Sequence, residues 1–135
     1  MRIVVATSVL FAMSNSEPEA GYFHSMMLRH EPLISSGSMI ETVRVIQMRF
    51  GDHGLGALDQ LTAAYGLELV PVTPESVAWA RHGMLRYGKG RRKEPAVLNF
   101  GDLFAYAAAK ALDLPLLFKG GDFSKTDVRP VELGI

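Results

Sequence analysis

The sequence predicts a three-layer α/β/α sandwich with a mainly parallel central sheet. Short aliphatic and β-branched runs alternate along the chain with longer stretches whose apolar residues recur at helical spacing. The short runs are continuously apolar, which is typical of strands buried on both faces of a parallel sheet. Glycine, proline and small polar residues separate the segments. Strands that alternate with helices in this way indicate a parallel sheet with helices on both sides.

The first predicted strand covers residues 3–6, where Ile-Val-Val is followed by a small residue. The hydroxyl residues at 7–8 are predicted to cap a helix over 9–13. Pro18 stands in the first turn of a second predicted helix, a position that tolerates proline because its amide has no partner within the helix. That helix is expected to continue to about His30.

The second predicted strand covers residues 33–35 and is followed by a turn at Gly37. Apolar residues at helical spacing then predict a helix over 39–50. Gly51 is expected to end that helix, because glycine adopts the backbone conformation of a helix terminus without strain. A further helix is predicted over 55–65.

The third predicted strand covers residues 68–71, and Pro71 favours an edge position because proline cannot donate to a strand ladder. A helix over 74–87 follows. After a basic loop, Asn99 is expected to cap a helix over 100–112.

The fourth predicted strand covers residues 115–118, and residues 129–133 are predicted to add a last edge strand. No internal repeat or low-complexity linker divides these segments. We therefore expect residues 1–135 to form a single domain.

The composition excludes several classes of protein. Of 135 residues, 48% are hydrophobic and 21% are charged, and the formal net charge is zero. Such a chain can bury a core, and any surface that binds nucleic acid must be local. The absence of cysteine excludes a disulfide scaffold, a thiolate metal site and a cysteine nucleophile. No apolar run is long enough to span a bilayer, and we expect a cytoplasmic protein.

Acidic residues follow the predicted strands at the edge where parallel sheets bind ligands. Glu41 and Asp102 lie in the first turns of helices, and Asp122 follows the fourth strand. Clustered carboxylates bind Mg²⁺ or Mn²⁺, because a hard cation relieves their repulsion. Three unrelated acids at helix N-termini are the alternative. A receiver-like or phosphatase-like domain would need an aspartate after the first strand, where this chain has Ala6.

Four strings of residues carry a resemblance to a known family. They are IVVATS at 3–8, Ile40-Glu41, LNFGDLFAYA at 98–107, and LLFKGGDF at 116–123 with Thr126-Asp127 beyond it. In this order and spacing they resemble the PIN domain, specifically the VapC toxins of bacterial toxin–antitoxin pairs. The resemblance extends over nearly the whole chain.

The resemblance implies a toxin that is a metal-dependent endoribonuclease. In the family, the acids matching Glu41, Asp102 and Asp122 bind Mg²⁺ or Mn²⁺ and support RNA hydrolysis. The resemblance also implies a VapB-type antitoxin as partner and a homodimer. A fourth acid, an aspartate, normally stands where this chain has Ala6, and loss of that ligand predicts weak metal binding and impaired cleavage.

Two explanations of Ala6 stay open. The alanine is either a substitution that disarms a toxic nuclease, or a natural loss that leaves a noncatalytic module binding RNA or an antitoxin. The other three acids are still present, which favours the first explanation, because a decaying site tends to lose several of its ligands.

Three polar residues are candidate supporting groups. Ser8 is expected either to cap a helix or to hydrogen-bond a metal ligand or a water molecule. Asn99 is expected to cap its helix and is also a candidate for a supporting role in the site. Lys119 is expected either to contact a phosphate or to be solvated.

Two further features suggest partners. The basic run that contains Lys89, Arg91 and Arg92 is predicted either to follow an RNA backbone or to be a solvated loop. A Met-rich apolar set on the early helices is predicted to be mostly core, with a minority of its members forming an antitoxin groove. This set comprises Phe23, Met26, Met27, Met39, Val43, Met48 and Phe50.

Overall fold

The computed structural model describes residues 1–88 and 97–132. Its centre is a four-stranded sheet in the order β3-β2-β1-β4, and every pairing between neighbours is parallel. The strands are β1 (Arg2–Val5), β2 (Glu31–Ser35), β3 (Glu68–Val70) and β4 (Leu116–Leu117). The predicted parallel sheet is confirmed, with all four strands close to their expected positions.

Five helices connect and cover these strands within the described residues. They are α1 (Thr7–Ser14), α2 (Ala20–Arg29), α3 (Ser36–Tyr65), α4 (Pro74–Tyr87) and α5 (Phe100–Leu112), and a 3-10 turn follows at Phe123–Lys125. None of the helices described is long and apolar enough to cross a membrane.

The sheet divides the core into two halves, because successive side chains of a strand point to opposite faces. Ile3 and Val5 pack with buried residues of α1, α2 and α3 on one face. Val4 packs with buried residues of α4 and α5 on the other face. All three side chains are fully buried. The predicted three-layer sandwich is therefore confirmed.

Helix α3 is interrupted at Gly51, as the sequence predicts. Gly51 has φ 72° and ψ −164°, a conformation that is not helical and that a side chain would strain. The helix resumes directly and continues to Tyr65. It begins at Ser36, earlier than the expected 39, because the Ser35 hydroxyl accepts a hydrogen bond from the Gly37 amide at 3.2 Å.

The predicted capping of the first helix by Thr7 and Ser8 is wrong. The N-cap residue of α1 is Ala6, and no side chain caps this helix. The Thr7 hydroxyl donates instead to the carbonyl of Ser38 at 3.0 Å. The Ser8 hydroxyl accepts from the amide of Lys119 at 3.0 Å. Both hydroxyls thus join α1 to other segments, a use that local sequence does not reveal.

Two edge predictions have different outcomes. Strand β3 lies at one edge of the sheet, with Pro71 directly after it, as predicted. The last strand expected over 129–133 is reduced to an isolated bridge between Leu116 and Pro130. Pro130 has no amide to extend the ladder, and Leu133 lies outside the described residues.

Candidate metal centre

A cleft of about 380 Å³ opens at the carboxyl edge of the sheet. Its polar wall residues come from the start of α1, the connection to α2, the starts of α3 and α5, and the residues after β4. We call this the acidic cleft. Its polar and charged lining residues are Thr7, Ser8, Glu17, Glu41, Asp102 and Lys119.

Glu41 enters the acidic cleft because α5 has no side chain at Gly101. A Cβ atom built on Gly101 would overlap the carboxylate of Glu41. The Glu41 carboxylate therefore lies directly against the first turn of α5, one residue from Asp102. The sequence prediction that these two acids come together is supported by this geometry.

Asp102 is held in place by the start of its own helix. Its carboxylate accepts from the Asn99 amide at 3.0 Å, and the Asn99 side chain accepts from the Asp102 amide at 2.9 Å. This reciprocal capping box satisfies two amides that the helix cannot pair, and it fixes the orientation of the carboxylate. The predicted role of Asn99 as a cap is confirmed.

The structure does not group Asp122 with these two acids. Asp122 is exposed, it precedes the 3-10 turn, and the acidic cleft is lined without it. Within residues 1–88 and 97–132, no group of three or more histidine, aspartate or glutamate side chains is arranged to hold a metal ion. The structure thus brings together two of the three acids that the sequence singles out, and Asp122 stays a prediction.

Lys119 is tied to two acids that the sequence analysis did not select. Its ammonium donates to Glu17 and lies 3.4 Å from the Glu19 carboxylate. The hydrogen bond from Lys119 is the main cause that lowers the pKa of Glu17, and the same bond raises the pKa of Lys119. Glu17 and Lys119 are 102 positions apart, and no local pattern pairs them.

Ala6 is the residue at the carboxyl end of β1, next in sequence to the lining residue Thr7. It follows β1 and precedes Thr7, its amide donates to the carbonyl of Leu117 at 3.0 Å, and it is only 3% exposed. Its position as N-cap of α1 is one where aspartate is strongly preferred. An aspartate side chain here would start at the same sheet edge as Glu41 and Asp102.

The donors in the cleft fit a hard divalent cation. Glu41 and Asp102 offer carboxylate oxygens, which Mg²⁺ and Mn²⁺ prefer. Mg²⁺ in proteins is commonly held by one or two carboxylates, with water and substrate phosphates completing its shell. Three acids against one lysine leave the lining negative, since Lys119 is already paired with Glu17.

The structure describes only some of the residues that were predicted to contact partners. Lys89, Arg91 and Arg92 lie outside the described residues. Of the Met-rich set, Phe23, Met26 and Met27 are buried in the core, Met39 and Phe50 are partly buried, and Val43 and Met48 are exposed at 40% and 71%. Most of the set is therefore core, as expected, which limits any antitoxin groove there to its exposed members.

Known proteins resemble this chain along almost its whole length. The family model of the PIN domain matches residues 3–129. Ribonuclease VapC30 of Mycobacterium tuberculosis is 42% identical over 132 residues, which cover 97% of this chain and 99% of the relative. Ribonuclease VapC of Mycolicibacterium smegmatis is 40% identical over 131 residues, covering 96% and 99% of the two chains.

Solved structures share the fold. Mycobacterium tuberculosis VapC20, a Sarcin-Ricin loop cleaving toxin, matches with a TM-score of 0.75 at 20% identity, covering 96% of this chain and 98% of that one. VapBC2 from Rickettsia felis, solved with a DNA fragment from its promoter, matches with a TM-score of 0.74 at 14% identity and covers 98% of both chains.

Proposed function

The chain belongs to the PIN-domain family, and on that premise we propose that it is a VapC-type toxin, an endoribonuclease that hydrolyses RNA phosphodiester bonds. The observation that carries the proposal is the meeting of Glu41 and Asp102 in the acidic cleft at the carboxyl edge of the sheet. Relatives that are 42% and 40% identical over nearly their full length are ribonucleases by name, which supports the same activity here.

Glu41 and Asp102 would hold the divalent cation, Mg²⁺ or Mn²⁺, through their carboxylate oxygens. Such an ion activates water and neutralises charge on the phosphodiester. Asp122 is the candidate third acid, because it follows β4 at the same edge of the sheet. Asn99 keeps the Asp102 carboxylate directed by the capping box.

The remaining polar groups of the cleft set its charge and shape. Ser8 anchors the backbone of Lys119 by accepting its amide hydrogen bond. The Lys119 ammonium offsets part of the negative charge, while Glu17 and Glu19 hold it at the rim. We assign Lys119 and Ser8 to supporting roles, since they position the wall of the cleft.

Ala6 should impair this reaction. A methyl group cannot ligate a cation or orient a water molecule, and the carboxylates of Glu41 and Asp102 are fixed to different helices. Positioned electrostatic groups are typically worth about 100- to 1,000-fold in rate. The chain as written should therefore cleave RNA slowly, and Ala6→Asp should restore a cleavage that depends on Mg²⁺ or Mn²⁺.

The test compares RNA cleavage by the chain and by Ala6→Asp, with divalent cation and with chelator, beside their melting temperatures. In chelator Ala6→Asp should melt at the lower temperature, because a carboxylate in this nearly buried position is desolvated and close to other acids. Hydrogen bonds to the start of α1 offset part of that cost, about 1 kcal/mol. Added cation should raise the melting temperature of Ala6→Asp more than that of the chain.

Ala6→Asn is the matched control, because it supplies the same cap without the charge. It should be more stable than Ala6→Asp in chelator and should cleave RNA as slowly as the unchanged chain. Equal activity of the chain and Ala6→Asp would show that position 6 is not a ligand position.

A noncatalytic module that binds RNA or an antitoxin is the second candidate. The observation that favours it is the Ala6 methyl group, which packs with the apolar cluster beneath α4 and α5. If Ala6→Asp binds cation and RNA and yet cleaves none of a varied set of RNAs, this second candidate holds.

The proposal extends to partners and context. We expect a VapB-type antitoxin to bind this chain, a homodimer in solution, and a cytoplasmic location where RNA is available. Residues 1–135 are taken as one PIN domain. The solved VapBC2 complex supports an antitoxin partner by its likeness in fold.

A further inference from the structure

A second cavity, of about 650 Å³, lies between the first turns of α3 and α5 and the residues that follow β3. We call it the apolar groove. Phe100 and Ile40 stand on its sides and are 76% and 71% exposed. Large apolar side chains that are this exposed and grouped around one cavity indicate a binding surface.

Gly37 brings two walls of the apolar groove close together. A Cβ atom on Gly37 would overlap the ring of Phe104, so that ring lies directly against the backbone of α3. Phe100 meets Phe104 edge to face, with ring centroids 5.2 Å apart and planes at 79°. The groove therefore presents one exposed aromatic ring, Phe100, whose edge-to-face partner Phe104 lies against α3.

The apolar groove and the acidic cleft share a wall. Glu41 lines both cavities, and Phe100 is two residues before Asp102. The apolar groove is therefore the surface that adjoins the acidic cleft on the side of Glu41.

The charge at the groove suits a nucleotide. Arg44 lies one turn beyond Glu41 on α3 and lines the groove. It is exposed, and among the described residues it forms no ion pair. A free guanidinium at the rim of an aromatic slot can bind the phosphate that follows a stacked base.

We propose that the apolar groove binds one unpaired nucleobase of the RNA substrate, stacked against Phe100, with its neighbouring phosphate on Arg44. This inference rests on the proposed ribonuclease function and names the part of the RNA that the site selects. A single-stranded or looped RNA is the substrate class, because only an unpaired base exposes its face to an aromatic ring.

The experiment measures binding of a fluorescein-labelled single-stranded RNA of about ten nucleotides by anisotropy. The chain is used as it stands, in chelator, so that binding is read without cleavage. Phe100→Ala should weaken binding by about 5- to 150-fold, the range that base–aromatic stacking supplies. Phe100→Trp should retain it. Tyr22→Ala, which truncates an exposed aromatic residue on α2, is the control and should change nothing.

An abasic nucleotide placed at each position in turn identifies the stacked base. At one position the abasic RNA should bind the chain more weakly, and that loss should disappear in Phe100→Ala. Arg44→Gln should reduce the slope of log affinity against log salt by about 0.7, which corresponds to one phosphate of a single strand.

Three results would overturn the proposal. If the chain binds RNA and Phe100→Ala binds it equally well, the base site is wrong and the ribonuclease function stands. If Phe100→Ala converts a dimer to a monomer in sedimentation equilibrium, the groove is an interface between copies of the chain. If neither the chain nor Ala6→Asp with Mn²⁺ binds RNA, the base site and the proposed function fail together.

Discussion

At the scale of single residues, the candidate metal centre depends on the absence of a side chain at Gly101. Gly101 has no Cβ atom, and its place is taken by the carboxylate of Glu41. The cost of a glycine near the start of a helix is about 1 kcal/mol relative to alanine. That cost is offset here by a function, since the glycine allows a helix and a carboxylate from another helix to touch.

We expect Gly101→Ala in the Ala6→Asp variant to weaken Mn²⁺ binding by about tenfold or more. The added methyl group displaces the Glu41 carboxylate from Asp102, and displacement by about an ångström has a large effect on a ligand set. Isothermal titration with Mn²⁺ measures this directly.

Gly56→Ala is the control for helix propensity. It also lies in a helix, and a Cβ atom there meets nothing within 4 Å. It should raise stability by about 0.5 to 1 kcal/mol and leave Mn²⁺ affinity unchanged. If both alanines stabilise the fold and neither changes Mn²⁺ binding, Gly101 does not position Glu41.

At the scale of elements, an ion pair ties the connection between α1 and α2 to the residues after β4. Glu17 accepts hydrogen bonds from Lys119 and from Asn15, the latter at 2.9 Å. Neither segment is held there by regular secondary structure. The pairing therefore determines the shape of one rim of the acidic cleft.

This ion pair should make stability depend on acid pH. The pKa of Glu17 is lowered from its ordinary 4.5, first by the hydrogen bond from Lys119. A carboxyl whose pKa is depressed by folding stabilises the protein above its unfolded pKa and loses that effect as pH falls through the folded pKa. Urea midpoints should therefore fall below about pH 4.5, and Glu17→Gln should flatten that part of the profile.

The control is Glu68→Gln, which removes an exposed carboxylate 3.4 Å from Arg2. Exposed ion pairs of this kind contribute little to stability. The pH profile of urea midpoints for Glu68→Gln should therefore keep the shape it has in the unchanged chain. A Glu17→Gln profile that parallels that of the unchanged chain down to pH 3 would contradict the role given to the pair.

The kinds and order of the elements could be predicted from sequence, because glycine, proline and capping residues mark their ends. Asn99 is the clearest example, since its cap is a local interaction over three residues. The hydroxyls of Thr7 and Ser8 show the limit, because their partners lie 31 and 111 positions away. The same limit applies to the site: Glu41 and Asp102 were predicted from their helix starts, and Glu17 was not.

At the scale of the whole molecule, the sheet separates two cores that do not share side chains. Ile46 belongs to the core beside α1 and α2 and is fully buried. Tyr106 belongs to the core beneath α4, where its hydroxyl donates to Asp127 at 2.8 Å. Burial raises the pKa of Tyr106 well above its ordinary value of 10.0, so the hydroxyl is a permanent donor.

We expect Tyr106→Phe and Ile46→Val to destabilise the protein additively. Tyr106→Phe should cost about 1.5 to 2 kcal/mol, the lower part of the range for a bond to a charged group, because Asp127 keeps access to water. Ile46→Val should cost about 0.5 to 1.5 kcal/mol. The free energy of unfolding of the double variant should equal the sum within about 0.5 kcal/mol. A larger coupling energy in denaturant titrations would mean that the two cores communicate through the sheet.

The break at Gly51 also has a consequence for how this fold can vary. Strands β2 and β3 are parallel neighbours, so the chain must return to the level of Leu33, which pairs with Glu68. A straight helix of the 30 residues in α3 would extend about 45 Å, whereas a strand of five residues spans about 17 Å. Because the chain changes direction at Gly51, α3 does not have to extend over the full length of a straight helix. The segment between Gly51 and β3 can therefore change in length among related proteins. The segment that carries Glu41 keeps its register with the sheet.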